Sequence, residues 1–302
     1  MRALFSALAA FALLGVAPAA AQGFDLSQAG SKELQVFADQ GIEWHAEDLR
    51  VIATGNATAV RGGMTVAANT LVAYYRHGAK GDEIWRLDAD GAVSIRSATE
   101  TATGFKAVYD LDQAVLVLRG HPARLVTPTD TYQASEAIEY WEARKMAVLR
   151  GDAVATRGDR TLRADVITAH FRDRSGAAPS AGAGKREESL DLQRADAYGH
   201  VVLTTATETI TGDRGDYVAD SGIATLSGAV KMTREGGNQL EGGWAYVNIK
   251  TGISKLFPAP PGSAGASRVQ GVFVPQKRND GTGSSAPSRG VGVPTIEDLG
   301  SQ

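Results

Sequence analysis

Between Ala107 and Gly120 the chain reads Ala-Val-Tyr-Asp-Leu-Asp-Gln-Ala-Val-Leu-Val-Leu-Arg-Gly, an apolar–polar alternation interrupted once by a polar run. Strand side chains point alternately to two faces, so the pattern predicts a hairpin with one apolar face. Tyr109 ends the first strand, residues 110–113 form the turn, and Ala114, Leu116 and Leu118 line the second strand. That turn places Tyr109 opposite Ala114. The unit recurs: an aromatic ring stands 11 residues before a glycine at Trp44/Gly55, Tyr109/Gly120, Tyr140/Gly151 and Tyr217/Gly228. From Gly55 to Tyr75, Gly91 to Tyr109, Gly120 to Tyr140, Gly151 to Phe171, Gly199 to Tyr217 and Gly228 to Tyr246 the step is 18 or 20 residues. Steps that differ by two lengthen a strand without turning its side chains over. Two intervals are longer, Tyr75 to Gly91 by five residues and Phe171 to Gly199 by 17. The second contains Ser175–Gly184, nearly all Ser, Gly, Ala and Pro, and reads as a loop insertion over 172–190. A period of about 30 residues means stacked supersecondary units, here about six hairpins.

The alternation runs straight through the glycines. One face carries Val51, Ala53, Gly55, Ala57 and Ala59; another run carries Ala224, Leu226, Gly228, Val230 and Met232. Val93 and Ile95 follow Gly91 in phase, Leu149 precedes Gly151, and Val201 and Leu203 follow Gly199. Glycine on an inner face predicts a bulge, a bend or a close backbone approach. Trp44, Tyr75, Tyr109, Tyr140, Phe171, Tyr217 and Tyr246 are expected to form a structural ladder at the hairpin ends, because cross-strand aromatic pairs stabilise sheets. The array ends where Phe257 replaces the next glycine and Pro258 follows. Residues 258–302 are rich in Gly, Pro, Ser and Ala and read as a disordered tail, with Val269–Val274 as a strand or a short binding segment.

Composition narrows the class. The 302 residues carry a net charge of -3 with no basic block, which argues against a nucleic-acid partner. Cysteine is absent, excluding disulfides, thiolate metal sites and a lipidated cysteine. Residues 1–21 have a short basic start, an apolar run Ala3–Val16 and the small residues Ala19-Ala20-Ala21 before Gln22, the pattern of a secretory signal peptide cleaved near Ala21/Gln22. Residues 22–35 form a polar lead-in. Export without cysteine fits a bacterial periplasm.

Catalytic chemistry is not visible. His45, His77, His121, His170 and His200 are scattered, and none has a partner at metal-ligand spacing. Asp88/Asp90 and Asp110/Asp112 read as turn residues. No Gly-x-Ser-x-Gly elbow occurs, and no cofactor is implied. Function then has to come from shape. An alternating apolar face must curl over to hide itself. If its two layers splay, the small inner residues leave a groove suited to acyl chains, each buried methylene contributing ~0.8 kcal/mol. The candidate lining is Ala53, Ala57, Ala59, Val93, Ile95, Ala114, Leu116, Leu118, Leu149, Val201, Leu203, Leu226, Val230 and Met232. The alternative is that alanine permits tight sheet packing in a structural or adhesive β-solenoid that binds only protein.

Ile42-Glu-Trp-His-Ala-Glu-Asp-Leu, Ala53-Thr-Gly-Asn-Ala-Thr-Ala-Val and Val66-Ala-Ala-Asn-Thr-Leu-Val-Ala-Tyr-Tyr resemble the OstA-like domain of the LptA family of lipopolysaccharide-transport bridge proteins. Echoes recur as Leu149-Arg-Gly-Asp-Ala-Val with Leu162-Arg-Ala-Asp-Val-Ile, and as Leu226-Ser-Gly-Ala-Val. The resemblance covers residues 36–257, with Asn69 where the family usually has Asp. It implies an open β-jellyroll that holds the acyl chains of lipopolysaccharide in a trough between inner and outer membranes. It also implies head-to-tail self-association, an inner-membrane-anchored LptC-like partner at the N-terminal edge and an outer-membrane LptD-like partner at the C-terminal edge. Those edges are expected near 36–46 and 244–257.

Overall fold

A computed structural model describes residues 34–274 other than 80, 174–189, 207, 235, 249, 252 and 264–267. The expected signal peptide, nearly all of the lead-in, most of the 172–190 insertion and the tail beyond 274 lie outside the described residues.

Among the described residues eighteen antiparallel strands form one sheet, as the hairpin pattern predicts. They are β1 Gln35–Phe37, β2 Gly41–His45, β3 Arg50–Arg61, β4 Met64–Gly78, β5 Gly81–Arg96, β6 Thr101–Asp110, β7 Val115–Arg119, β8 Ala123–Val126 and β9 Asp130–Ala134. They continue as β10 Ala137–Trp141, β11 Met146–Arg157, β12 Arg160–Asp173, β13 Leu190–Thr204, β14 Glu208–Val218, β15 Ile223–Arg234, β16 Gln239–Asn248, β17 Ile253–Phe257 and β18 Gln270–Val272. Among the described residues no helix is long and apolar enough to cross a membrane.

A row of bulges creases every long strand. At Gly55-Asn56, Gly91-Ala92, Gly151-Asp152, Gly199-His200 and Gly228-Ala229 two successive residues have positive φ. Each pair faces a single residue of the following strand: Asn69, Phe105, Asp165, Asp213 and Gly243 in turn. Glycine reaches this region without cost, and Asn, Asp and His tolerate it better than most residues. The bulge predicted from the inner-face glycines is therefore present. His200 follows its glycine as the second bulge residue and contacts Asp165 at 3.0 Å.

The crease divides the sheet into two arms that share the long strands. One arm runs β2-β3-β4-β5-β6-β7-β10 and then β11 through β17. The other runs β1-β3-β4-β5-β6-β8-β9-β11 and on through β16 to β18. The apolar faces of the arms enclose one continuous core, to which β13, for example, gives Ala195 and Ala197 on one side of the crease and Val201 and Leu203 on the other. Alanines concentrate beside the crease, where the arms converge: Ala57, Ala123 and Ala153 are fully buried. Here the tight-packing reading of the small residues holds.

The chain repeats itself. Tyr75 N–H donates to the Leu49 carbonyl at 2.9 Å, and Phe171 N–H to Lys145 at 2.7 Å. Leu111 N–H donates to Trp85 at 2.9 Å, and Ala219 N–H to Gln193 at 3.0 Å. Residues 35–126 and 130–234 are thus two units of the same plan. Trp85 and Gln193 fall at matching register shifts in hairpins β4–β5 and β12–β13, which rise past their neighbours and absorb the two long intervals.

Two expectations are corrected. Tyr109 pairs with Leu116, and Ala114 is the last turn residue, with φ 51°, rather than part of β7. Asp88 and Asp90 lie on β5 in ion pairs with Arg86 at 2.6 Å and Lys106 at 3.2 Å, not in a turn. Of the expected aromatic row, Trp44 and Tyr75 are in ring contact, with centroids 5.8 Å apart. Tyr246 points away from the core, which takes Ala245 and Val247 instead. Val269–Val274 supplies β18, a strand beside β16.

A Cβ at Gly228 would lie 2.1 Å from Asp213 Oδ2 and 2.7 Å from its Cβ, at a φ of +80°. Gly228→Ala is expected to lower unfolding free energy by at least ~2 kcal/mol in urea titration. Gly63→Ala, at an open hairpin tip with nothing within 4 Å, should change it by less than ~0.5 kcal/mol.

Candidate functional site

Between the arms of the first unit lies an apolar cleft of about 110 Å³. One arm contributes Ala53, Leu71 and Leu87, and the other Val36, Ala59, Val66 and Ile95. Leu116 and Tyr109 close its inner end. The volume is of the same order as the ~150 Å³ of an engineered apolar cavity that takes benzene.

The second unit is filled at the matching places. Ala59, Val66, Leu71 and Leu87 are half-buried, whereas their counterparts Ala155, Leu162, Ile167 and Ala195 are buried. The difference has a physical source. The second unit has neighbouring strands at both ends, whereas the first has only the short β1 and β2 beyond β3.

The fourteen residues expected to line a lipid trough therefore separate. Ala53, Ala59, Ile95 and Leu116 line the cleft. Ala57, Val93, Leu118, Leu149, Val201, Leu203, Leu226, Val230 and Met232 face inward but are buried against one another. Ala114 sits in its turn. The alternation rule missed Val36, Val66, Leu71 and Leu87. On β4 the inward positions are Val66 and Ala68 before Asn69, then Leu71, Ala73 and Tyr75 after it. A crease residue that stands alone shifts the inward set from even to odd numbers, whereas a Gly pair preserves it.

Both ends of the arms carry polar fastenings. At one rim Trp44 Nε1 donates to Tyr75 Oη at 2.8 Å, and Tyr109 Oη to Glu142 Oε2 at 3.0 Å. At the other rim three hairpin turns share a pattern. The amides of Glu100, Asp130 and Glu208 donate to the hydroxyls of Ser97, Thr127 and Thr205 at 3.0–3.1 Å. All three carboxylates are buried. Asp130 is held by Arg157 at 2.6 Å and Glu208 by Arg234 at 3.1 Å. Thr127 follows Val126, which pairs with Thr101, so it stands across from Glu100 where Arg234 stands across from Glu208. Burial without a cation pushes Glu100 up to about 7. Among the described residues no cluster of His, Asp and Glu could hold a metal ion.

A family model described as LptA/(LptD N-terminal domain) LPS transport protein matches the chain twice, over residues 35–142 and 133–253. An uncharacterized protein of Rhizobium meliloti (strain 1021) is 29% identical over 133 residues, covering 39% of this chain and 72% of that protein. Among solved structures, the chain is similar to LptH from Pseudomonas aeruginosa, the LptA-homologous periplasmic component of the lipopolysaccharide transport device. That likeness has 20% identity and a TM-score of 0.38, and covers 48% of this chain and 95% of that one.

Two outcomes are expected from this geometry. Glu100 binds its proton more tightly folded than unfolded. Its contribution to stability is therefore complete below its ordinary value of 4.5 and is lost as pH rises through about 7. Glu100→Gln should leave the melting temperature at pH 4 nearly unchanged and raise stability at pH 8 by about 2–3 kcal/mol, followed by thermal unfolding at both pH values. Core truncation should separate the units. Leu203→Ala in the filled unit is expected to cost about 3 kcal/mol in urea titration, and Leu71→Ala at the cleft less than about 1.5 kcal/mol.

Proposed function

The chain belongs to the family of LptA and LptD N-terminal domains, lipopolysaccharide-transport proteins, and from that premise we propose that it is an exported periplasmic bridge. On this reading the sheet is an open β-jellyroll. It carries lipopolysaccharide between the membranes with acyl chains in the apolar cleft and sugars and phosphates in water. The observation that carries the reading is the cleft itself: two apolar arms stand apart in the first unit over the same positions that are closed in the second. Each methylene that enters contributes ~0.8 kcal/mol, so a long acyl chain supplies on the order of 10 kcal/mol toward leaving a membrane. Lengthening the occupied groove requires the arms to part, and the crease is the line about which they would do so. The work is transfer, with no bond made or broken.

End-to-end assembly supplies the remaining span. The N-terminal edge offers β1 and β2 and the C-terminal edge β17 and β18, and an unpaired edge is a template for strand addition. An inner-membrane-anchored LptC-like domain at the first edge and an outer-membrane LptD-like domain at the second complete the proposed path.

The filled core of the second unit also suits a structural β-solenoid that binds only protein, and one experiment separates the two. A photocrosslinking residue at Leu71 in the protein as exported by its host is expected to capture lipopolysaccharide, and one at outward-facing Val117 to capture none. Equal labelling at both positions, or no lipid recovered by extraction and mass spectrometry, would leave the structural reading standing.

A further inference from the structure

Three strands end their inward row on an arginine. Beyond the crease the inward residues are Ala57, Ala59 and Arg61 on β3, Ala153, Ala155 and Arg157 on β11, and Val230, Met232 and Arg234 on β15. The first two rows align exactly in the hairpins, because Arg61 pairs with Met64 and Arg157 with Arg160 across two-residue turns. In the second unit the use of the position is visible. Arg157 stands across from Asp130 and Arg234 across from Glu208. Each guanidinium donates to the carboxylate beside it, at 2.6 Å and 3.1 Å. The position holds an oxyanion at the edge of the apolar interior.

In the first unit the neighbouring strand brings a different residue to that place. β1 pairs with β3 through Val36–Ala59 and Gln35–Val60, so Leu34 comes beside Arg61 where Asp130 comes beside Arg157. Leu34, Val36 and Ala59 all line the cleft. Arg61 is one inward step beyond Ala59 and therefore stands at the mouth. Farther along the same rim, Thr65 pairs with Arg96 and Arg96 with Thr101. The inward residues that flank this line are Met64, Ser97 and then Glu100, which three strand spacings put roughly 14 Å from Arg61. The mouth of the open unit thus has a cation on the side of β1, hydrocarbon next to it, and a carboxyl group at its far side.

From this arrangement, and resting on the cleft reading above, we infer that Arg61 is the head-group subsite of the cleft, binding the oxyanion of an amphiphile whose hydrocarbon chain lies against Leu34, Val36 and Ala59. The planar guanidinium presents two parallel N–H donors that match a carboxylate or a phosphate. Arg157 and Arg234 already demonstrate the same recognition with side chains of this protein. An apolar cleft by itself takes hydrocarbon in either direction and with any head group. A cation at the mouth fixes the direction, with the head beside β1 and the chain running toward Leu116 and Tyr109 at the inner end. It also confers selectivity, because an anionic amphiphile gains a contact there and a neutral one does not.

The subsite is tested by titrating the full-length, methyl-labelled chain with octanol, octyl phosphate and inorganic phosphate, followed by NMR. Octanol should move the methyl signals of Leu71 and Ile95. Octyl phosphate should move the same signals at about tenfold lower concentration, an advantage that shrinks with added salt. Arg61→Gln should abolish the advantage and leave the affinity for octanol unchanged, while Arg61→Lys, which keeps the charge without the fork, should retain part of it. Arg96 is exposed on the outward row of the same rim, between Thr65 and Thr101, and Arg96→Gln should leave the advantage intact. Equal affinity for octanol and octyl phosphate, or an equal loss in Arg96→Gln, overturns the subsite and leaves the cleft standing. Inorganic phosphate that binds as tightly as octyl phosphate overturns the amphiphile in favour of a free anion. No movement of Leu71 and Ile95 with either chain overturns the cleft reading and the subsite together.

Discussion

A hydrogen-bonded sheet can fold along a line only if every strand bends at the same row. A single strand that stayed straight would tear its ladder away from both neighbours, each unpaired backbone group costing free energy on burial. This chain meets the condition with alternating devices. One strand spends two left-handed residues, Gly55-Asn56 or Gly228-Ala229, and its neighbour passes through with one, Asn69 or Gly243. Ala92 and Ala229 accept a conformation that disfavours them by ~1–2 kcal/mol, and inward burial of leucines such as Leu203 and Leu226 offsets it. Everything else in the fold follows from that row: the facing arms, the alanines where they meet, and the larger side chains farther out.

The crease also decides where space can exist. Next to it the arms are too close for anything but alanine, and Ala153 has no exposed surface. Away from it, space depends on whether neighbouring strands press the arms together. They do so in the second unit and fail to in the first, beside its shorter terminal strands. One repeated pattern therefore yields a packed core and an opening in the same sheet. Position in the array, more than residue type, separates Leu71 from its buried counterpart Ile167.

What could be read in the sequence was whatever preserves parity. Strands with a Gly pair keep inward residues on the same parity across the bend, so Ala53, Ala59, Val201, Leu203 and Val230 were legible as inner positions. Strands that cross with one residue reverse it, and Val66 with Leu71 then looks like noise although both face inward. The turn before β7 was misread because a left-handed Ala114 resembles the first residue of a strand. Burial was the least legible quantity. Leu116 at the cleft and Leu226 in the closed core have the same local pattern, and only the stacking of distant strands distinguishes them. Glu100 likewise carries the same turn signature as Glu208; the missing arginine lies on another strand.

The unbroken pairing across the unit boundary makes the molecule a ruler. Fourteen strand positions at ~4.8 Å give a contour of about 60 Å, and no hinge of unpaired backbone divides it at the middle. If chains join end to end as proposed, the distance they cover is counted in whole chains rather than adjusted continuously. A gap that falls between two multiples must be taken up by whatever the end strands touch.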